Sequence, residues 1–407
     1  MKWPALSLNA LVILTCLGCS SVAPVAATIF PTDSPAPTLP EPSTTPRSSP
    51  APSASDTPAA FVPPADPGAA HTQTAQAALS LIHLTPTQTR TPWPSDAPRL
   101  RDLAAKHKFY IGAAVQSGLL QQPDYASTVA GEFNILTPEY ELKMCVVWPA
   151  RERFDFRASD AIVQFAADHG MRVRGHTLVW TDCIPDWISK GSFSSDEAKD
   201  LLHTYISNVV GRYKGRIQYW DVLNETIQRS PIWETLIGPD YARLAFQWAH
   251  EADPDAVLVY NDYDAEMVNS KSDAIYNLVK GWKESGVPIG GVGLQAHFKG
   301  PFDADSVARN IARLNDLGLQ VHITELDYPY PDGLAQPDVA QADLYGSLLK
   351  VCLQAANCPV FVMWGFTDRY SYLNGVGVSP NPLIFDADYR PKPAYAALYG
   401  LLSGGLP

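Results

Sequence analysis

Trp220-Asp221-Val222-Leu223-Asn224-Glu225 is the stretch on which the reading of this 407-residue chain turns. With Ile217 and Tyr219 ahead of it, it opens as a run of β-formers and stops on a polar pair. A buried strand of a parallel barrel reads as apolar, and its last residues face the open end where side chains from several strands converge. A glutamate at that point, with an asparagine just before it, is a candidate catalytic acid. One carboxylate seldom makes a hydrolase, so a second is sought at the end of another strand.

Working outward, a strand–helix alternation runs from Leu103 onward. Its candidate strands are Phe109–Ala114, Phe133–Thr137, Arg172–Val179, Ile217–Asn224, Val257–Asp262, Gly291–Gln295, Gln320–Leu326 and Val360–Gly365. Between them, Ser194-Ser195-Asp196-Glu197 has the form of a capping box ahead of an apolar-periodic run through Leu201, Leu202, Tyr205 and Val209. Ser272 to Ser285, Asp303 to Leu317 and Gln341 to Leu353 also read as helices, Gly286 being the expected stop of the first. This pattern predicts a (β/α)8 TIM barrel. A doubly wound open sheet is the competing architecture, weakened because no Gly-rich phosphate loop follows the first strand.

The barrel reading carries a consequence inside the sequence: functional residues should gather at the C-terminal strand ends. Glu139 and Lys143, His176 and Trp180, Asn224 and Glu225, Asn261 and Tyr263, Gln295 and His297, Glu325 and Asp327, and Trp364 all fall there. A single polar residue at a strand end is usually a loop residue making turn contacts; a matching set at successive ends is not. Glu225 and Glu325 close the fourth and seventh strands and would face each other over the mouth. Taken singly, each glutamate reads as a salt-bridge partner. Together, with Asn224 beside one and His297 near the other, they suit cleavage of a glycosidic bond. That reaction needs a proton donor for the leaving oxygen and a second carboxylate to attack the sugar or activate water.

Phe133-Asn134, Thr137-Pro138-Glu139, Arg174-Gly175-His176-Thr177-Leu178-Val179-Trp180 and the opening hexapeptide form one ordered series of motifs. It continues with Asn261-Asp262-Tyr263, Gly293-Leu294-Gln295-Ala296-His297, Ile323-Thr324-Glu325-Leu326-Asp327, Trp364-Gly365-Phe366-Thr367-Asp368, Pro382-Leu383-Ile384-Phe385-Asp386 and Lys392-Pro393-Ala394-Tyr395. On these residues the chain, from roughly Leu103 to Leu402, resembles the glycoside hydrolase family 10 endo-β-1,4-xylanases, retaining (β/α)8 enzymes. The resemblance implies that Glu225 is the general acid/base and Glu325 the nucleophile, with His297, backed by Asp327, orienting Glu325. It implies a substrate contact from Asn224 to a sugar 2-hydroxyl. Glu139, Lys143, His176 and Trp180 would line the glycone side with Trp364 as a stacking wall, and Tyr263 and Gln295 would lie nearer the cleavage point or leaving group. No cofactor and no catalytic metal are implied.

Measured against that family, Tyr140 stands where asparagine is usual and Met144 where tryptophan is usual. The common Trp-His-Ser-Gln run appears as Trp180-Thr181-Asp182-Cys183, and Tyr372, a candidate substrate-binding residue, replaces a lidding tryptophan. These departures are read as a reshaped glycone side around intact catalytic glutamates. Cys145 follows the second strand and Cys183 the third, and neighbouring strands of a barrel bring such loops together; a Cys145–Cys183 bridge is expected in an exported protein, two separate buried thiols being the alternative. The family resemblance implies a second bridge, Cys352–Cys358. The cysteines show no zinc-ligand spacing.

Upstream, Met1-Lys2 and an apolar run from Ala5 to Leu17 read as a signal peptide over residues 1–19. Its end, Leu17-Gly18-Cys19-Ser20, resembles a bacterial lipoprotein signal, giving lipidation at Cys19, an anchor to a membrane and an extracellular or cell-surface location. Simple secretion is the alternative. Residues 20–98, rich in Pro, Ala, Ser and Thr, read as a disordered linker with at most a short helix from Ala75 to Ile82. Residues 99–407 are then the catalytic barrel. A formal net charge of −12 argues against nucleic acid as a partner. The expected partner is a xylan-type polysaccharide, and the expected state a monomer. The alternatives are a same-clan barrel hydrolase on another β-linked glycan, a xylanase with altered glycone-side specificity, or a silent carbohydrate-binding protein, against which two intact glutamates speak.

Overall fold

A computed structural model describes residues 97–300, 302–330, 333–375 and 381–404. The expected signal peptide, Cys19, and the linker up to residue 96, with its Ala75–Ile82 segment, lie outside the described residues. Eight parallel strands close into a barrel in chain order: β1 Tyr110–Val115, β2 Ile135–Pro138, β3 Arg172–Gly175, β4 Tyr219–Asn224, β5 Val257–Asp262, β6 Gly291–Leu294, β7 Gln320–Leu326 and β8 Val360–Met363. β8 returns to β1, pairing Tyr110 with Val360 and Ala113 with Met363. The open-sheet alternative is thereby set aside.

Alternation along β4 shows how one strand serves two compartments. Tyr219 points into the barrel, where Ile135, Val360 and Val362 form a small core and its ring meets His322 edge-on at 4.8 Å. Trp220 and Val222 point outward into the large core between strands and helices. Trp220 is fully buried, and truncating such a side chain to alanine costs about 3–5 kcal/mol. Gly175 of β3 makes room for it, since a Cβ there would lie 2.2 Å from the Trp220 ring. Between Asp221 and Leu223 the β4–β5 register shifts, which turns Asn224 and Glu225 toward the mouth.

Five strands are shorter than the sequence predicts; β4 starts at Tyr219 rather than Ile217 and β6 ends at Leu294 rather than Gln295. β2 starts at Ile135 rather than Phe133, because Phe133 still caps helix Pro123–Glu132 and the Asn134 side chain bonds Ile111 N–H and the Phe109 carbonyl. β3 stops at Gly175, not Val179. Beyond it Thr177 donates its hydroxyl to the Asp221 carbonyl, and the ladder to β4 resumes only with the Leu178 and Val179 N–H groups. β8 ends before Gly365, whose φ of +94° turns the chain away.

The helices follow their caps. Ser194 Oγ accepts from Glu197 N–H at 3.3 Å while the Glu197 carboxylate accepts from Ser194 N–H at 2.9 Å, opening Ser195–Arg212. The helix expected from Ser272 starts earlier, at Ser270, because Asn269 is its cap. Asp303 caps Ala304–Asp316, and the last of the expected helices runs from Pro337 to Gln354. Both expected disulfides are formed. Cys145–Cys183 joins the loops after β2 and β3, and Cys352–Cys358 ties a helix end to the approach of β8, each with Cα atoms 5.0 Å apart.

Candidate active site

Glu225 stands one residue beyond β4 with φ of +58°, its N–H bonded to the Asn261 carbonyl at 2.9 Å. A non-glycine residue in that region costs on the order of 1–3 kcal/mol and persists only where its surroundings over-determine it. The surroundings here are four donors. Trp180 Nε1 and Arg229 Nη1 each donate to Oε2 at 3.1 Å. Asn224 Nδ2 and Gln295 Nε2 donate to Oε1 at 3.1 and 3.0 Å.

Glu325, at the end of β7, is 4 % exposed and sits in a different field. Asn261 Nδ2 donates to its Oε1 at 2.6 Å, and His297 Nε2 lies 3.2 Å from its Oε2. Burial alone would raise the carboxyl, but His176, His297 and Asn261 together hold it down at about 2. His297 is a partly buried cation between two acids. Burial opposes its charge, yet Asp327, 2.7 Å from Nδ1, and Glu325 push the imidazole well above its ordinary range. Behind the site, Asp221 accepts from Arg174 at 2.5 Å and holds His176 Nδ1 at 3.0 Å, all three buried.

The two carboxylates are linked through side-chain amides. Asn261 donates to Glu325 and, at 2.8 Å, to Asn224 Oδ1, while Thr324 donates to Asn261 Oδ1 at 2.7 Å. Gln295 likewise reaches Asn224 Oδ1 at 3.3 Å. With its oxygen occupied and one N–H on Glu225, Asn224 keeps one N–H for a ligand hydroxyl. The arrangement requires Gly293 on β6: a Cβ there would sit 2.1 Å from Asn261 Oδ1.

On the β2 side, Gln116 donates to Glu139 Oε2 at 3.0 Å, and burial raises the Glu139 carboxyl above its ordinary range. Lys143 Nζ lies 5.1, 4.7 and 5.9 Å from the ring centres of Tyr140, Trp180 and Trp364, and burial pulls the ammonium below its usual range despite the nearby acids. Trp364 packs edge-on against His176 at 5.1 Å. Tyr372 is 43 % exposed with its hydroxyl 3.5 Å from His297 Nδ1. Tyr263 is pinned by Lys271, whose Nζ lies 3.1 Å from its ring centre and 2.8 Å from Asp262.

The sequence-predicted residues thus meet at one end of the barrel, with two differences in detail. The Trp180 indole, expected on the glycone wall, has its N–H on Glu225. Asp182, read among the glycone-side departures, instead pairs with Arg229 at 2.5 Å beside Glu225. Arg229, Asp221 and Gln116 are site residues the sequence does not single out, and Asn261, read only as a strand-end residue, proves to bond Glu325 directly. Asp221 left a signal, a charged residue inside a strand that reads as apolar; Arg229 left none. Among the described residues, no group of three or more His, Cys, Asp or Glu side chains is placed to hold a metal ion.

A closed parallel barrel with two opposed, differently held carboxylates over its mouth is the site of a glycosidase-type enzyme. Residues 99–400 match the model of glycosyl hydrolase family 10, and the chain belongs to that family. It is 39 % identical over 320 residues to endo-1,4-beta-xylanase B of Thermotoga neapolitana, covering 75 % of this chain and 92 % of that protein. Among solved structures, native xylanase 10B from Thermotoga maritima superposes with a TM-score of 0.72 at 39 % identity, covering 75 % of this chain and 98 % of that one. Xylanase 10B from Thermotoga petrophila RKU-1, solved in complex with xylobiose, gives 0.72 at 38 % identity, covering 76 % and 98 %.

Proposed function

We propose that this chain is an endo-acting, retaining β-1,4-xylanase that cleaves internal bonds of xylan-type polysaccharide by double displacement. Family membership and the names of the relatives support the substrate. The observation that carries the mechanism is the pair itself: His297 and Asn261 hold Glu325 ionised as a nucleophile, and Glu225, just beyond β4, has both carboxyl oxygens held in place by donors from four residues.

In the first step a Glu325 oxygen attacks the anomeric carbon as the bond to the leaving sugar breaks, and the Glu225 proton passes to the leaving oxygen. In the second, water gives a proton to Glu225 and attacks the same carbon, releasing Glu325. Two inversions return the original anomer. Asn224 offers its remaining N–H to the 2-hydroxyl, a contact that strengthens as charge grows on the ring. Glu139, Lys143, His176 and Trp364 provide hydrogen bonds and a stacking wall for the glycone, and Tyr263 and Gln295 lie toward the leaving group.

Exposed tyrosines at 140 and 372 favour a second reading within the same chemistry, a cleft that tolerates side groups or another β-linked glycan. The sequence at Cys19 supports a lipid-anchored, extracellular enzyme on a long Pro-, Ala-, Ser- and Thr-rich spacer. Proton NMR of xylotetraose hydrolysis tests the mechanism: the β-anomer forms first on this reading, whereas initial α-anomer would overturn it. A product profile on xylan, arabinoxylan and β-glucan separates the two substrate readings.

A further inference from the structure

Arg229 is the one donor on Glu225 that comes from neither a strand end nor an aromatic wall. It lies on the loop after β4, and its guanidinium spans two acids, Nη1 on Glu225 Oε2 at 3.1 Å and Nη2 on Asp182 Oδ1 at 2.5 Å. Asp182 belongs to the loop after β3, two residues beyond Trp180, the other donor to Oε2. That loop is fastened where it matters. Cys183 has φ of +56°, its carbonyl accepts from Cys145 N–H at 2.8 Å, and its sulfur is bonded to Cys145. Asp182 and Cys183 are also two of the three positions where the Trp180–Cys183 run leaves the family pattern. One change of sequence, one disulfide and one arginine therefore converge on a single carboxyl oxygen.

We propose that Asp182 and Arg229 form a brace that orients the Glu225 carboxyl for proton transfer to the leaving group, with the Cys145–Cys183 bridge as its anchor. The inference rests on the acid/base reading of Glu225. An exposed ion pair contributes little to stability, so folding is not a sufficient reason for this one. Its geometry is more telling. Oε1 is held by the amide N–H groups of Asn224 and Gln295, which come from strand ends, so the loop residue Arg229 acts on the other oxygen, Oε2. Trp180 and Arg229 are the two side-chain donors on Oε2. Asp182 holds the Arg229 guanidinium beside the carboxyl through the proton-transfer cycle, which limits rotation of the Glu225 side chain away from the leaving group. Arg229 is a positioning residue: it acts on the reaction only through Glu225.

The test uses two substrates that differ in their need for acid help. Xylotetraose has a poor leaving group that must be protonated, whereas 2,4-dinitrophenyl β-xylobioside has one that leaves as the anion. General acid assistance is worth about 10²–10⁴-fold, and misorienting the acid forfeits part of it. For Arg229→Met, kcat/KM on xylotetraose is expected to fall about tenfold or more. On the dinitrophenyl substrate it should stay within about twofold, since no proton transfer is lost there. Asp182→Asn should shift the same ratio in the same direction by less, and Arg229→Lys should recover part of it. Equal losses on both substrates, or no loss on either, would overturn the brace. Turnover of the dinitrophenyl substrate itself reports that each variant is folded. Glu225→Ala separates the two levels: if it lacks the substrate split, the acid/base assignment fails, and if it shows the split while Arg229→Met does not, only the brace fails.

Discussion

Asn261 Nδ2 donates to Glu325 Oε1 at 2.6 Å, the shortest of the hydrogen bonds that hold the proposed nucleophile, and its second N–H fixes Asn224. A single buried amide therefore sets one carboxylate and the residue beside the other. Hydrogen bonds to a charged group contribute about 1.5–3 kcal/mol, so Asn261→Ala should lower kcat/KM on xylo-oligosaccharides by about 10- to 100-fold. Gly293→Ala tests the same link from the next strand. Its new Cβ would crowd Asn261 Oδ1, and both activity and Tm should drop. Steady-state kinetics with thermal unfolding check the pair.

The Glu325–His297–Asp327 array gives a pH signature. Glu325 is depressed from 4.5 to about 2, so its contribution to stability is present above about 4.5 and is lost as pH falls through that interval. His297 is raised from 6.5, so its contribution is complete below 6.5 and is lost as pH rises through the higher folded value. Both act together between about 4.5 and 6.5. Denaturant unfolding across pH should show this array at its strongest in that window. In His297→Gln the cation is gone, the Glu325 carboxyl moves up, and the acid limb of kcat/KM should shift to higher pH.

The two disulfides close loops of very different length. Cys145 and Cys183 are 38 residues apart and Cys352 and Cys358 are 6 apart. Chain-entropy reasoning assigns them about 4 and about 2 kcal/mol. Removing Cys145–Cys183 by paired serine substitution should lower Tm more than removing Cys352–Cys358. Thiol titration of the unfolded, unreduced catalytic domain should find none of these four sulfurs free.

Tyr372 is half-exposed and its hydroxyl reaches His297 only at 3.5 Å, too far to orient the histidine. Its contribution should be to binding. Tyr372→Ala is expected to raise KM for short xylo-oligosaccharides by about twofold to tenfold, the worth of one aromatic contact, while kcat changes little. A comparable fall in kcat would place the ring in the chemistry instead.

Much of this fold and site is legible in the sequence because it repeats a rule. β5 and β7 lie where apolar runs place them, and Glu225 and Glu325 stand out because acids at successive strand ends of a barrel share one mouth. What the residues hide is of another kind. β3 stops early because Thr177 spends its hydroxyl on the backbone of β4, a tertiary bond with no local pattern. Asp182 and Arg229 lie 47 residues apart on two irregular loops, where neither period 2 nor period 3.6 applies, so their pairing exists only in three dimensions. Asp221 is intermediate: its place in an apolar strand marks it as unusual, but its partners Arg174 and His176 come from the neighbouring strand and the turn that follows it.

The division of labour between the two glutamates is tested most directly by trapping the covalent intermediate. Treatment with a 2-deoxy-2-fluoro-β-xylobioside bearing an activated leaving group, followed by mass mapping of the proteolysed enzyme, locates the ester. The expected result is one xylobiosyl adduct on the peptide containing Glu325, with Glu225 unlabelled. An adduct on Glu225, or substrate turnover with no adduct on either glutamate, would contradict the account.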